Sequence, residues 1–244
     1  MSWVHPWTIH LPEAFLQPAF SPPLLAPPPG LRMMLNIAAA QKDPVIYVRN
    51  PRGQEDFVAG GFWVDNLVRI GSRKELDPLA ASVNAKYGIT GFGEVKWVLG
   101  MLLECDHAAR MILISQDAFI NSVLAWFHLT DTSPLSMAFV PSTHLLEADC
   151  PATQEEKDKM STWPYRELVG ALAWLTLGTQ PDIAFAASLL TCFGHNPGCA
   201  HWEVAKCVLC YLKGTRGWCL MLGGSPPQIA AFTDMDWGSN CNNW

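Results

Sequence analysis

Cysteine and histidine side chains are concentrated in one short segment, where they could bind a metal ion. The segment contains Cys192, His195, Cys199, His201, Cys207 and Cys210. Thiolate and imidazole are ligands that Zn²⁺ prefers. However, the spacing from 192 to 201 lacks the paired pattern of a zinc finger, and Cys207 and Cys210 fall inside a predicted helix with no knuckle-type turn between them. Buried or incidental thiols are therefore the preferred interpretation, and a zinc-stabilised interaction module is the alternative.

Isolated histidines and glycine pairs elsewhere are weaker candidates for chemistry. His107 and His128 stand alone, with no serine or cysteine nucleophile at a suggestive spacing, so each is interpreted as a surface or structural histidine. Gly60-Gly61 precedes a strand and Gly223-Gly224 lies in a predicted turn, so neither pair indicates a phosphate-binding loop. These residues do not predict an enzyme class.

The elements that would position such residues are mostly strands in the first half of the chain. β-branched and aromatic runs indicate strands, and apolar residues at helical spacing indicate helices. In chain order we predict strands at 44–48 and 57–67, then a helix at 74–87 that stops near Gly88. A hairpin of strands 101–104 and 111–115 follows, and then a helix from 115 onwards with Asp117 in its first turn.

The second half is predicted to be mainly helical. A turn-rich, acidic stretch at 130–159 indicates a mobile linker. Pro164 is placed to start a helix, and Gly214 is placed to cap the C-terminus of the clearest helix in the chain. After the linker we expect one helix that begins at 164, a second at 183–190 and a third at 200–213. A hairpin of strands 218–222 and 228–233 follows.

Composition restricts the function and the compartment. The formal net charge of −6 argues against a free-standing nucleic-acid-binding protein, because phosphate contacts need clustered lysine and arginine. The proline-rich first 30 residues show no secretory signal. The apolar stretch 168–193 is broken at 178–182 into segments shorter than the roughly 20 residues that cross a bilayer. We expect an intracellular protein of the cytoplasm or nucleus, with no membrane partner and no identified small-molecule substrate.

Five blocks of sequence, in this order, resemble the copia-type LTR-retrotransposon Pol polyproteins across the junction between reverse transcriptase and RNase H. They are Tyr165-Arg166-Glu167-Leu168-Val169-Gly170, Pro181-Asp182-Ile183-Ala184-Phe185-Ala186, Ala200-His201-Trp202-Glu203, Tyr211-Leu212-Lys213-Gly214-Thr215 and Thr233-Asp234-Met235-Asp236-Trp237. Upstream, Gly93-Glu94-Val95-Lys96-Trp97-Val98-Leu99-Gly100 is similar to the family's segment after the polymerase active site. The resemblance covers roughly residues 43–244.

The resemblance implies a polymerase active-site hairpin at Trp63-Val64-Asp65-Asn66, where the family has an aromatic residue or histidine followed by Val-Asp-Asp. Nucleotidyl transfer by two Mg²⁺ ions needs several carboxylates. Asp65 is the expected ligand, whereas Asn66 offers only a carbonyl. A third carboxylate would come from an upstream strand, where the family has an Asp four residues before an Ala-Phe-Leu sequence. Here that sequence is Ala14-Phe15-Leu16, and the position of the Asp is occupied by His10.

The resemblance also implies an incomplete RNase H site and a nucleic-acid partner. Asp234 matches the first-strand Mg²⁺ ligand of the family, and the remaining ligands would lie beyond Trp244. The alternative is that Asp234 and Asp236 are turn residues at the end of a strand. Lys206, Lys213 and Arg216 are the candidate contacts to an RNA or DNA primer-template.

Several substitutions relative to the family pattern suggest mutational decay. Six residues stand where the family commonly has Arg: Trp126, Gln180, Cys192, Cys207, Cys210 and Trp244. Asn66 and Asn240 stand where it has Asp. Each of these changes can arise from one C-to-T or G-to-A transition. Restoring them would move the net charge from −6 to about −2. We therefore predict a polymerase-family chain that is catalytically inactive and binds no Mg²⁺ productively.

The predicted fold is α+β, with a partial reverse-transcriptase palm and thumb-connection followed by the first hairpin of an RNase H-like fold. The predicted domains are a proline-rich arm, a palm and thumb remnant, connection helices and a truncated RNase H start, over 1–42, 43–160, 161–217 and 218–244. Ancestral activity would be RNA-directed DNA synthesis with RNase H. The alternative is a non-enzymatic protein that binds nucleic acid or is stabilised by zinc.

Overall fold

The computed structural model describes residues 5–10, 38–39, 46–49, 58–63, 66–88, 90–140, 143 and 145–224. The chain divides into two compact units, Met1–Lys96 and Trp97–Trp244, here called the N-terminal and C-terminal units. This division falls inside the range 43–160 that was predicted as one remnant. The predicted strand 228–233 lies outside the described residues, as do Asp65, Asp234 and Asp236, and the domain boundaries stay predictions.

An antiparallel sheet forms the described part of the N-terminal unit. Its strands lie in the order β2-β3-β4-β5-β1-β6. They are β1 (His5–His10), β2 (Ala38–Ala39), β3 (Ile46–Arg49), β4 (Val58–Trp63), β5 (Asn66–Gly71) and β6 (Thr90–Glu94). The single strand predicted over 57–67 is wrong, because β4 ends at Trp63 and pairs antiparallel with β5, which begins at Asn66. Strand-forming residues occupy both strands, and the sequence between them has neither glycine nor proline to mark a break.

The helix α1 (Arg73–Tyr87) follows this sheet, as predicted from its periodicity. Leu76, Leu79 and Val83 are buried at helical spacing. The helix ends at Gly88, which has φ +61° and donates its N–H to Asn84 O at 2.8 Å. In β5, Arg69 is buried and its Nη1 donates to Leu76 O at 3.2 Å. Burial lowers the pKa of Arg69 to about 10, and the negative charge of Asp77 opposes this shift.

A second antiparallel sheet opens the C-terminal unit, in the order β10-β9-β8-β7. Its strands are β7 (Trp97–Val98), β8 (Met101–Asp106), β9 (Met111–Ser115) and β10 (Leu220–Gly223). The predicted hairpin of β8 and β9 is confirmed. β10 overlaps the strand predicted at the start of RNase H, and it pairs with β9 in the register Leu220↔Ile114.

Five helices form the rest of the described C-terminal unit: α2 (Asp117–Trp126), α3 (Gln154–Ser161), α4 (Tyr165–Gly178), α5 (Ala184–Cys192) and α6 (Cys199–Thr215). They enclose one hydrophobic core, in which apolar residues recur at helical spacing. Its fully buried residues include Ile120, Val123, Leu168, Leu172, Leu175, Ile183, Leu190, Ala205, Val208, Leu209 and Leu212. The predicted helices before and after the linker are confirmed.

Two local predictions in this unit are wrong. The linker predicted over 130–159 contains α3, which starts with a capping box: Thr153 Oγ1 accepts the Glu156 N–H, and Glu156 Oε2 accepts the Thr153 N–H. The Thr-x-x-Glu signal was present in the sequence. Gly214 does not cap α6, which continues to Thr215; a Cβ at Gly214 would lie 3.2 Å from Pro134 Cβ, so the glycine permits close packing.

The fold is α+β, as predicted, although its assignment to a reverse-transcriptase or RNase H fold stays a prediction. Among the helices that the structure describes, none combines the length and apolar character needed to cross a bilayer.

Candidate functional site

The β4–β5 hairpin lies where the sequence predicts the polymerase active site. Trp63 and Asn66 are paired across the two strands, so β4 ends just before Asp65 in the sequence and β5 begins just after it. The placement of Asp65, the expected Mg²⁺ ligand, is outside the described residues.

Strand β1 brings the third predicted position to the same place. β1 runs antiparallel to β5, and His10 is the register partner of Asn66. Neighbouring strands lie about 4.8 Å apart, so His10, Asn66 and Trp63 occupy one end of three adjacent strands. In the sequence, His10 is assigned only by its distance from Ala14-Phe15-Leu16, and the pairing of β1 with β5 is information that sequence spacing does not contain.

The donor set at this end of the sheet does not fit two Mg²⁺ ions. Of the three positions that the resemblance assigns to metal binding, residue 65 is a carboxylate, whereas residue 66 is an amide and residue 10 is an imidazole. Mg²⁺ prefers hard anionic oxygens in octahedral arrangement, and imidazole suits softer metals.

The three predicted phosphate contacts, Lys206, Lys213 and Arg216, each have an intramolecular partner. Lys206 Nζ lies 2.8 Å from Glu203 Oε1. Lys213 Nζ donates to the carbonyl oxygens of Thr130 and Thr132 at 2.6 and 2.5 Å. Arg216 Nη1 donates to Asn121 Oδ1 at 3.1 Å, and its Nε lies 3.9 Å from Asp117 Oδ1. Their assignment to nucleic acid stays a prediction. Arg216 joins the end of α6 to α2, Lys213 joins α6 to the loop after α2, and the Lys206 pair lies within α6.

Lys213→Met is expected to lower the free energy of unfolding by about 1–2 kcal/mol, because two carbonyl acceptors lose a charged donor. Lys206→Met, on the same helix, is expected to cost less than about 0.5 kcal/mol, since it breaks only a surface ion pair. Urea unfolding followed by circular dichroism would measure both. Equal losses would contradict a structural role for Lys213.

The cysteines and histidines of segment 192–210 are directed to separate partners. Cys192 Sγ contacts Ser188 O, Cys199 Sγ contacts Met160 Sδ, and Cys210 Sγ contacts Thr132 Oγ1. The six residues all belong to the described part of the chain, in which no three His, Cys, Asp or Glu side chains are grouped to hold a metal ion. Four of the six lie on α6, Cys192 ends α5 and His195 follows it, and zinc binding stays an untested alternative.

His201 has a structural role in this segment. Its ring is buried against Phe193, with centroids 4.0 Å apart, and its Nδ1 accepts the Gly198 N–H at 2.9 Å at the start of α6. This hydrogen bond requires an unprotonated Nδ1. Burial lowers the pKa of His201 below its usual value, and the nearby Asp149 charge opposes this shift.

Acidification is therefore expected to destabilise the C-terminal unit through His201. The folded-state pKa is lower than the unfolded one, so the unfolded chain binds more protons as the pH falls below about 6.5. The free energy of unfolding should decrease in that window, by at most about 1.4 kcal/mol per pH unit for one proton. Urea unfolding at several pH values would show this. His201→Gln keeps a hydrogen-bond acceptor for the Gly198 N–H and should remove the contribution of His201 to the change of unfolding free energy with pH. An unchanged pH dependence in this variant would contradict its assignment to His201.

Residues of the family-like blocks contact one another across the C-terminal unit. Tyr165 Oη donates to Leu190 O at 2.8 Å, and burial raises the pKa of Tyr165. Tyr211 Oη donates to Asp182 Oδ2 at 2.5 Å, joining the start of α5 to α6; burial, followed by Asp182, raises the pKa of Tyr211 to about 12. The blocks therefore coincide with the contacts that hold α4, α5 and α6 together.

Comparison with known proteins finds relatives among retrotransposon polyproteins. Over 202 residues, 82% of its length, the chain is 33% identical to the retrovirus-related Pol polyprotein from transposon TNT 1-94 of Nicotiana tabacum. It is 30% identical over 180 residues to the putative transposon Ty5-1 protein of Saccharomyces cerevisiae. It is 29% identical over 177 residues to an uncharacterised mitochondrial protein of Arabidopsis thaliana.

The matched region is a small part of the longest of these relatives. The chain spans 15% of the tobacco polyprotein, 55% of the yeast protein and 70% of the Arabidopsis protein. No family model matches the chain, and no solved structure matches it.

Proposed function

The chain belongs to the copia-type retrotransposon Pol polyproteins, and we propose that its ancestral activity is RNA-directed DNA synthesis with degradation of the RNA template. The observation that carries this proposal is the pairing of β4 with β5 and of β5 with β1, in which Asn66 is the register partner of both Trp63 and His10. The pairing brings positions 10 and 66, two of those that the resemblance assigns to metal ligands, onto neighbouring strands, and a two-metal reaction needs its ligands close together.

We further propose that the chain does not catalyse this reaction. Mg²⁺ would supply the charge stabilisation for phosphoryl transfer, and the implied donor set contains one carboxylate where several are needed. By resemblance, a long fingers and palm stretch would also lie between residues 30 and 43, where this chain has a dozen residues. A neutral ligand in place of a carboxylate removes charge that the reaction needs, and such losses cost orders of magnitude in rate.

Primer extension on an RNA template tests this proposal. Purified protein in Mg²⁺ is expected to give no extension above a no-protein control, and extension by the unmodified chain would overturn the proposal. Asn66→Asp is the informative variant. Extension by Asn66→Asp would identify residue 66 as the lesion that prevents catalysis, whereas silence would indicate that His10 or the short 31–42 segment also prevents it.

The substitutions at family arginine positions support the decay hypothesis. Trp126 is 65% exposed, and Cys192 and Cys207 are also exposed, so arginine could occupy these positions in contact with water. Gln180 is 1% exposed and its Nε2 has no partner among the described residues. Coding DNA of intact relatives should carry C or G at the changed codon positions; any other base there would contradict decay by transition.

Nucleic-acid binding without catalysis is a second candidate function. The C-terminal unit has a continuous hydrophobic core, so loss of the polymerase carboxylates leaves a folded platform. Binding would be weak and strongly dependent on salt, because the chain is acidic overall. Fluorescence anisotropy with a labelled primer-template at about 50 and 200 mM salt would test it. Absence of binding at the lower salt would exclude this candidate.

A further inference from the structure

Two cysteines of α6, Cys207 and Cys210, lie one helical turn apart. Cys207 is exposed and Cys210 is half-buried, and both thiols are free. Residues three apart on an α-helix are neighbours on its surface, with Cβ atoms about 5–6 Å apart. Between them in the sequence, Val208 and Leu209 are fully buried in the core, which holds this turn of α6 in place. The fold therefore presents two sulfur atoms side by side on α6, and the Cys207 side is open to solvent.

A direct disulfide bond does not suit this spacing. A disulfide needs Cβ atoms about 3.5–4.5 Å apart, so closing one between Cys207 and Cys210 would distort a turn that the core holds. An ion placed between the two sulfur atoms removes this difficulty, because two metal–sulfur bonds of about 2.3 Å each span up to about 4.6 Å. The spacing therefore favours a bridging metal ion over a direct bond.

Two thiols suit a soft metal ion with a low coordination number. Thiolate is a soft ligand, and Cu⁺ is among the ions that soft ligands select in proteins. Cu⁺ has a filled d shell and forms stable complexes with two thiolates in line. Zn²⁺ also binds thiolate, but its structural sites have four ligands. Cys207 and Cys210 therefore supply a complete ligand set for Cu⁺ and half of one for Zn²⁺.

The charges next to the two thiols are compatible with a bound cation. Partial burial raises the pKa of the Cys207 thiol, Cys210 and Glu203 raise it further, and Lys206 opposes the rise. The Cys207 thiol is thus protonated at neutral pH when no metal is bound, and metal binding releases its proton. Two thiolates and one Cu⁺ together carry a single negative charge, which the neighbouring Lys206 ammonium can balance.

We infer that Cys207 and Cys210 form a two-coordinate Cu⁺ site. Each thiol gives its proton to water and each sulfur donates an electron pair to the ion, with no change in oxidation state. By resemblance, the family commonly has arginine at both positions, and two arginines could not bind a cation. The site is therefore a property of this chain, and it is independent of the proposed polymerase ancestry.

Competition for Cu⁺ tests this inference. The reduced full chain is titrated, without oxygen, into the coloured complex of Cu⁺ with bathocuproine disulfonate, and loss of the colour measures transfer of the ion to the protein. Cys207→Ser and Cys210→Ser should each weaken binding by about 100-fold or more, because one thiolate lacks the gain from two linked ligands. Cys192→Ser removes an exposed thiol at the end of α5 and is the matched control, which should bind Cu⁺ as the unmodified chain does.

Several results would overturn the inference. One is equal affinity of Cys207→Ser and Cys192→Ser. Another is a loss in Cys207→Ser with none in Cys210→Ser, because Cys207 would then hold the ion with a different partner. X-ray absorption of the copper-loaded, unmodified chain does not depend on how the variants fold; it should show two sulfur neighbours, and three or four would contradict a two-coordinate site. Dialysis against equal concentrations of Cu⁺ and Zn²⁺ should leave copper on the chain, and retention of zinc in its place would contradict the assignment of the metal.

Discussion

Replacing Gly198 by alanine is expected to lower the free energy of unfolding of the C-terminal unit by about 3 kcal/mol, the upper end of the usual cost of an inserted methyl group. A Cβ at Gly198 would lie 1.8 Å from Asp149 O and 3.0 Å from Asp149 C. Both are backbone atoms, so relief requires the 3₁₀ turn Glu147–Asp149 to move away from α6. Urea unfolding monitored by circular dichroism would measure the loss as a lower midpoint.

Gly170→Ala is the matched control for this substitution. Gly170 lies inside α4, and a Cβ there would have no atom within 4 Å outside the backbone of its own helix. Glycine in a helix interior costs about 0.5–1 kcal/mol relative to alanine, so this variant should be more stable than the unmodified chain. A loss at Gly170 similar to that at Gly198 would show that the packing around α6 is not the cause.

Leu172→Ala is expected to cost about 2–5 kcal/mol, the range measured for large-to-small changes in well-packed cores. Leu172 is fully buried on α4, in the core shared by α2, α5 and α6. Removing three carbon atoms there loses apolar burial and leaves a cavity that rigid helices cannot fill. The same unfolding measurement applies, and the slope against urea should stay unchanged if the native state remains folded.

Leu177→Ala provides the comparison on the same helix. Leu177 is 83% exposed, so its truncation removes little buried surface and should change the free energy of unfolding by less than about 0.5 kcal/mol. If both leucines cost the same, α4 does not pack with the face that the structure assigns to the core. The pair therefore tests the orientation of α4 as well as the stability of the unit.

Several residues in the blocks that resemble retrotransposon polyproteins form structural contacts. Tyr165, Asp182, His201 and Tyr211 belong to family-like blocks, and each donates or accepts a hydrogen bond within the C-terminal unit. Such residues identify the family and the packing of its helices without identifying an active site. A chain can therefore keep these blocks whatever residues occupy the positions that the resemblance assigns to the polymerase active site.

Apolar residues at helical spacing were sufficient to predict several helices, whereas the family was indicated by the resemblance of the five sequence blocks. That spacing predicted α2, α4 and α6 within a few residues, because an isolated amphipathic pattern already fixes which face is buried. The strand pattern over 57–67 did not separate β4 from β5, whereas the resemblance implied a hairpin there. The helix α3 was missed, because the composition around its capping box outweighed that short signal.

The sequence alone determined the family, the α+β class and the neutral residue at position 66. Tertiary structure decided which distant residues meet: His10 with Asn66, Lys213 with Thr130, and Tyr211 with Asp182. These pairs are separated by tens of residues, and no periodic pattern records such contacts. They form because strand pairing and burial of the helix faces bring their backbones together, so the contacts arise from packing and have no sequence motif of their own.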